Sequence, residues 1–432
     1  MATPLSAPFV LLISIDGFAD FYWRDERVKA PTLRALAENG AVADGVRAVF
    51  PSTTWPTHVS LVTGVTPARH GVVANHVLNR ATRRAEDLTG DPIYDADALL
   101  TAPTVYDRAA AAGLKVAAVD WPATRRSASL AFNLPFFKDQ RVFETHTTPA
   151  VWAELEAAGF PVDRQGEWAL LPKRFMKDTM VADVAAHAVH RHAPDMLMVH
   201  FLCADSHQHL YGPRAPEVFW AIEHVDGCIR RLLDALPDRV RDRAAVFVVS
   251  DHGFLPVERD IRPNVRLRRL GALRGDGASG FSGEACFVMN HGAGYLYALD
   301  GDAAAVRSLT AELAKMDGVA ATWPRERFAE LGLPADHAML PDAVLEAKPG
   351  YQFSDETEGE DENGAPKYRG THGQRPDAPG NAAFFMASGA GIRRGAKLGR
   401  IESRDVAPTL ATLLGVPMPD VEGRILTEIA DV

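Results

Sequence analysis

Short, continuous apolar runs recur along this chain between stretches of helical periodicity, at residues 9–15, 115–119, 195–202, 245–250 and 382–387. A strand that is apolar throughout is buried on both faces, so the series predicts a parallel sheet covered by helices on either side. The helical stretches fit that plan. Phe219, Ile222, Val225, Ile229, Leu232 and Leu236 form one inward stripe along 217–236. Val406, Leu410, Leu413 and Leu414 form another, and Gly415 stands where a left-handed C-cap would end that helix.

In open α/β sheets, sites form beyond the C-terminal ends of the strands. Asp16 follows the first run, Asp205 the third, and Asp251 with His252 the fourth. From about residue 254 the rhythm breaks into a Gly- and Arg-rich stretch, an extended segment at 285–299, a helix near 303–316 and the acidic run 355–362. This reads as a capping insertion, residues 256–365, with a small β-rich unit of its own. The catalytic core would then be residues 1–255 together with 366–432. A solvated loop is the expectation for the acidic run, since charge runs are usually solvated.

Four motifs carry chemistry. In Phe50-Pro51-Ser52-Thr53-Thr54-Trp55-Pro56-Thr57-His58, Pro56 suits the first helical position, which places Thr54 at a helix N-terminus where backbone N–H groups favour an anion. A hydroxyl there, bound to a metal, would be a nucleophile; a plain N-cap threonine is the bland alternative. In Asp205-Ser206-His207-Gln208-His209, an Asp and a His at helical spacing converge on one metal, unless the Asp merely caps a helix. In Ser250-Asp251-His252-Gly253, adjacent ligand types need a turn, which Gly253 would permit. His372, between Gly370-Thr371 and Gly373, completes the set. Hard oxygen with imidazole and no thiolate suits a catalytic zinc pair better than a structural site, although manganese or iron also suits Asp and His.

Composition restricts the partners. The 432 residues, 47% hydrophobic and 24% charged, are ordinary globular usage. A net charge of −10 argues against a nucleic-acid polymer as partner. The N-terminus lacks a basic region before its apolar stretch, and no run is long enough to span a membrane, so no membrane partner is expected. The odd set Cys203, Cys228 and Cys286 suits a reducing compartment, and the expected location is cytoplasmic, a secreted or periplasmic form without its leader being the alternative. The oligomeric state is left open, a homo-oligomer included.

The motif set resembles the alkaline phosphatase superfamily and, within it, the nucleotide pyrophosphatase/phosphodiesterase family, from Ile13-Ser14-Ile15-Asp16-Gly17-Phe18 to Asp405-Val406-Ala407-Pro408-Thr409-Leu410. The resemblance implies an α/β, alkaline-phosphatase-like three-layer sandwich with a mostly parallel central sheet and a smaller cap. It implies two Zn2+, one held by Asp205, His209 and His372, the other by Asp16, Thr54, Asp251 and His252. Thr54 is then the nucleophile of a phosphodiesterase/nucleotide pyrophosphatase, forming a covalent phospho-threonine. Asn75, in His70-Gly71-Val72-Val73-Ala74-Asn75, would bond a non-bridging phosphate oxygen; a turn residue is the alternative.

Three positions depart from the family pattern. Trp55 replaces Phe and should preserve stacking on a base or aryl group. His200 stands where nucleotide-cleaving members tend to have Tyr, which unsettles one jaw of a base clamp. Thr57 replaces Asn and reads as structural. The expected substrate is a small phosphate diester or nucleotide. A phosphomonoesterase, for which Arg125, Lys138 or Lys173 could fold into the site, or a phosphonoacetate-like phosphonate hydrolase, which would need basic residues for the substrate carboxylate, is the enzymatic alternative. A zinc-binding protein with a vestigial site is the non-enzymatic one.

Overall fold

In the computed structural model, which describes residues 9–89 and 94–430, one eight-stranded sheet crosses the centre of the chain. Its order is Lys397–Leu398, Gly40–Ala43, Phe385–Gly389, Ala244–Val249, Phe9–Ile15, Met196–Phe201, Val116–Val119 and Phe132–Leu134. Phe9–Ile15 pairs in parallel with both neighbours, Ile13 lying opposite Val199 on one side and Val248 on the other. Every residue of these three strands is buried, which is why their sequences are apolar except for Ser14 and His200.

Alternate side chains feed two layers. Phe9, Leu11, Ile13 and Ile15 pack with Val181, Val184 and Ala188 of the Arg174–His192 helix and Ile222, Val225, Ile229 and Leu232 of the Pro216–Asp234 helix. Val10 and Leu12 face the other way, onto Val105 and Ala109 of Val105–Ala111 and Val406, Leu410 and Leu414 of Val406–Leu414. The result is the three-layer α/β sandwich with a mostly parallel sheet. Gly415 ends the last helix with φ +69°, in the left-handed region. Within the predicted stripe, Phe219 is only half-buried, its place being taken by Val218.

Two strand expectations need correction. The run near 382–387 is Phe385–Gly389, and it is antiparallel to Ala244–Val249. The cause lies just before it, where Gly253 N–H donates to the Asn381 carbonyl at 3.0 Å. The returning chain thus enters the sheet at the end where Ala244–Val249 leaves it. The extended segment at 285–299 is a hairpin, Ala285–Asn290 and Ala293–Ala298, turning at His291 and Gly292.

That hairpin belongs to a four-stranded antiparallel sheet ordered Ala285–Asn290, Ala293–Ala298, Ala343–Ala347, Val319–Pro324. Its core includes Val306, Leu309 and Leu313 of the Ala303–Leu313 helix, but also Phe50, Val59, Val73 and Val77. The sheet is therefore packed on the segments that carry Thr54 and Asn75. The acidic run is a largely exposed loop, as expected, and it also makes surface ion pairs. Glu356, Glu358 and Glu362 pair with Arg262, Arg268 and both Arg266 and Arg269, so the Arg-rich and acidic stretches are each other's partners. No helix among the described residues is long and apolar enough to cross a membrane. The reading of the N-terminal segment before Phe9 lies outside the described residues.

Candidate metal centre and active site

The C-terminal ends of three central strands deliver the first residues. Asp16 follows Phe9–Ile15, and the next N–H, of Gly17, donates to Asp251 Oδ1 at 3.0 Å. Asp251 and His252 follow Ala244–Val249, and His252 Nε2 lies 3.4 Å from Asp16 Oδ1 and 3.2 Å from Asp251 Oδ2. Gly253 allows this for a different reason than expected. It does not adopt positive φ; instead, a Cβ there would stand 2.2 Å from the Gly380 carbonyl, so only glycine lets the returning chain pass.

Past Met196–Phe201 the chain enters the Cys203–Tyr211 helix, whose first turn carries Asp205 and whose next carries His209. Their side chains meet at 3.3 Å. Asp205 is no cap. The helix start is held by Asp178, which accepts from Leu202 N–H at 2.9 Å and Cys203 N–H at 2.8 Å. His372 comes from the far side of the insertion, after the short strand Gly370–Thr371, and its Nε2 lies 3.8 Å from Asp205 Oδ1. Its ring stacks on His252 with centroids 3.7 Å apart.

Hydrogen bonding sets the tautomers. His209 Nδ1 faces the Gly370 carbonyl at 3.0 Å, His252 Nδ1 that of Gly253 at 3.1 Å, and His372 Nδ1 that of Ser52 at 3.1 Å. Since a carbonyl only accepts, each Nδ1 carries a proton, which leaves Nε2 as the nitrogen that a metal-binding imidazole offers. Asp16 Oδ1, Asp205 Oδ1, Asp251 Oδ2 and His252 Nε2 are buried without any hydrogen-bond partner. Ligand-type atoms of Asp16, Asp251 and His252, and again of Asp205, His252 and His372, lie within 4.8 Å of one another.

The electrostatics suit a cation. Burial, then the Asp251 and Asp205 charges, push Asp16 well above the usual carboxylate range. Burial would raise Asp205 too, but the His209, Arg174 and His252 charges outweigh it and hold Asp205 low. Burial and the neighbouring rings keep His372 neutral, well below its ordinary value. Three buried carboxylates beside three imidazoles in one dry space are costly alone and fit divalent metal ions.

Thr54 opens the Thr54–Thr63 helix, so Pro56 is its third residue rather than its first. Thr53, at the N-cap position, makes no side-chain capping bond. His58, one turn on, fixes this helix start. Its Nδ1 donates to the Thr54 carbonyl and its Nε2 bonds Ser14 Oγ, both at 2.8 Å, tying the helix to the strand that ends in Asp16. Asn75 Oδ1 accepts from Trp55 N–H at 2.9 Å. Thr54, Trp55 and Asn75 line one cavity of about 760 Å³ together with Asp16, Asp205, His209 and His372. Thr57 is fully buried, away from it.

His200 also lines the cavity, but it is only 1% exposed, with Nε2 3.3 Å from Asp16 Oδ2 and its ring against His58. Of the cations considered, Lys138 reaches the wall, bound to Asp87 at 2.6 Å. Arg125 pairs with Asp95, and Lys173 with Glu167. Two of the wall residues that the sequence did not reveal lie next to the proposed ligands. Arg174 is buried 3.5 Å from Asp205 Oδ2, and His291 comes from the hairpin turn. For His291 a signal existed, since Asn290-His291-Gly292 is turn chemistry inside an apolar stretch; for Arg174 there was none.

A family model described as type I phosphodiesterase / nucleotide pyrophosphatase matches residues 10–375. Human ectonucleotide pyrophosphatase/phosphodiesterase family member 1 is 26% identical over 248 residues, 57% of this chain and 24% of that protein. A pyrophosphatase/phosphodiesterase of Schizosaccharomyces pombe is 28% identical over 256 residues, 57% of this chain and 45% of that protein. The match thus spans less than half the length of either relative. Among solved structures, murine ectonucleotide pyrophosphatase / phosphodiesterase 5 superposes with a TM-score of 0.71 at 19% identity, covering 98% of this chain and 100% of that one. An inactive threonine-to-alanine form of it in complex with AMP gives 0.72 at 19% identity, covering 96% and 97%.

Proposed function

This chain belongs to the type I phosphodiesterase / nucleotide pyrophosphatase family, and from that premise we propose that it is a two-zinc hydrolase of phosphate diesters or nucleotides acting through a covalent phospho-threonine on Thr54. The observation that carries the reading is the convergence on one cavity of the Thr54 helix start, Asn75 and buried carboxylates and imidazoles whose remaining lone pairs have no partner. Asp16, Thr54, Asp251 and His252 would hold one zinc, and Asp205, His209 and His372 the other. When bound, the pair supplies positive charge for the oxygens that enter and leave phosphorus.

The chain's own groups do the rest. Thr54 Oγ attacks phosphorus in line, the bond to the leaving oxygen breaks, and water then cleaves the Thr54 ester to free the enzyme. Asn75, whose Oδ1 is engaged by Trp55 N–H, keeps its amide N–H groups for a non-bridging phosphate oxygen. Trp55, half-buried on the wall, offers a face to a base or aryl leaving group. His200 faces Asp16 rather than a base, given its burial and its 3.3 Å approach to that carboxylate. Residues 256–365 serve as the cap.

One observation supports a second reading. Arg174 places a guanidinium on the cavity wall, which is what a phosphomonoester or phosphonate, carrying more negative charge, would use. Zinc-dependent turnover of bis-p-nitrophenyl phosphate, compared with p-nitrophenyl phosphate in wild type and Thr54→Ala, separates the two. A diester preference abolished in Thr54→Ala is expected. A monoester preference moves the assignment to a phosphatase, and metal binding without turnover of either substrate makes the site a vestigial one.

A further inference from the structure

Of the histidines around the cavity, His291 is the one supplied by the hairpin. It sits at the turn between Ala285–Asn290 and Ala293–Ala298 with φ +62°, a left-handed backbone that is uncommon outside glycine and is held here by its surroundings. The surroundings are explicit. The His291 carbonyl accepts from Phe353 N–H at 2.8 Å, and Gly292 N–H donates to the His372 carbonyl at 2.7 Å. Asn290 bonds both the N–H and the carbonyl of His76 at 2.9 Å. The turn is thereby pinned directly to the backbone of a proposed zinc ligand.

The imidazole follows. Its centroid lies 5.0 Å from that of His209 and 4.5 Å from that of His372, and one ring nitrogen of each of the three falls within 4.8 Å of the others. His291 is only 9% exposed, yet among the described residues neither of its ring nitrogens has a hydrogen-bond partner. Of these three close imidazoles, two have Nδ1 bound to carbonyls and Nε2 turned toward Asp205, at 3.3 Å for His209 and 3.8 Å for His372, an arrangement that suits a shared cation.

We propose that His291 is a further ligand of the metal that Asp205, His209 and His372 would hold, brought to it by the insertion rather than by the central sheet. The proposal rests on the two-metal reading above. Because a catalytic zinc commonly has three protein ligands and a position for substrate, His291 as a fourth ligand would occupy that position at rest or raise the coordination number when substrate arrives.

The test is titration of Zn2+ into the metal-free full chain by calorimetry, for wild type and His291→Asn, with X-ray absorption at the zinc edge on the loaded proteins. Asn tolerates the left-handed turn but is too short to replace the imidazole. The expected result is two sites in both proteins, one of them weakened at least about 10-fold in the variant, and one imidazole fewer over the metal pair. His291→Gly, which fits the turn with no ligand at all, should repeat both changes if His291→Asn folds poorly. Equal affinities and an equal imidazole count overturn the inference while leaving the two-metal reading intact. A wild-type protein that takes up no zinc overturns both.

Discussion

Asn75 joins two jobs in one side chain. Its Oδ1 is fixed by Trp55 N–H, the backbone group next to the proposed nucleophile, so its Nδ2 is aimed by the same contact that orders the helix start. A donor positioned in this way on a developing oxyanion contributes about 10²- to 10³-fold to rate. Asn75→Ala should therefore lower kcat on bis-p-nitrophenyl phosphate by about that factor with a small change in KM; a loss under about tenfold would remove Asn75 from the machinery. At this scale the sequence was legible wherever a ligand-type residue directly followed a buried strand or began a helix, as with Asp16, Thr54, Asp205, Asp251 and His252. It was illegible where the residue reaches the cavity by tertiary packing. Arg174 opens a long helix with nothing in its neighbours to mark it, and His291 lay inside what reads as one extended segment.

The Cys203–Tyr211 helix shows how an element, rather than a residue, sets the site. Its two metal-facing side chains are aimed by the Asp178 carboxylate, which receives Leu202 and Cys203 N–H from another helix. Burial pushes Asp178 up to about 7, even though both N–H bonds favour the charged form; Asp120 adds to the rise and Lys177 opposes it. With a folded value raised above the unfolded value of about 3.9, the native state keeps a proton that the unfolded chain has lost. This contribution to stability accordingly falls as pH rises from about 4 to about 7 and is level beyond, with a slope approaching about 1.4 kcal/mol per pH unit. Wild type should lose urea resistance relative to Asp178→Asn between about pH 5 and pH 7; parallel pH dependence of the two midpoints would refute the assignment. The strand–helix alternation around this element is what periodicity reveals. The strand direction of Phe385–Gly389 is not, because direction depends on where the chain re-enters after the insertion, and a local apolar run carries no such information.

On the scale of the molecule, the fold gathers Asp16, Asp205 and Asp251 from three strand ends and then closes the space with His372 and the hairpin. The chain already carries a net charge of −10, so the folded state concentrates negative charge where water is least able to screen it. With the proposed cations bound, such a core gains stability, since a ligand that binds the native state alone stabilises it by RT ln(1 + [L]/Kd), about 4 kcal/mol at a thousandfold excess over Kd. Dialysis against a chelator should therefore lower the thermal midpoint by several degrees, and zinc should restore it. Asp251→Asn should start nearer the metal-free midpoint and respond less to either treatment. That variant keeps the size of the side chain and an oxygen for Gly17 N–H, so a smaller response reports the metal rather than a lost hydrogen bond. A wild-type midpoint indifferent to chelator and zinc would mean that the buried carboxylates are neutralised by protons instead, with Asp16, whose affinity for one burial and its neighbours raise, taking the first.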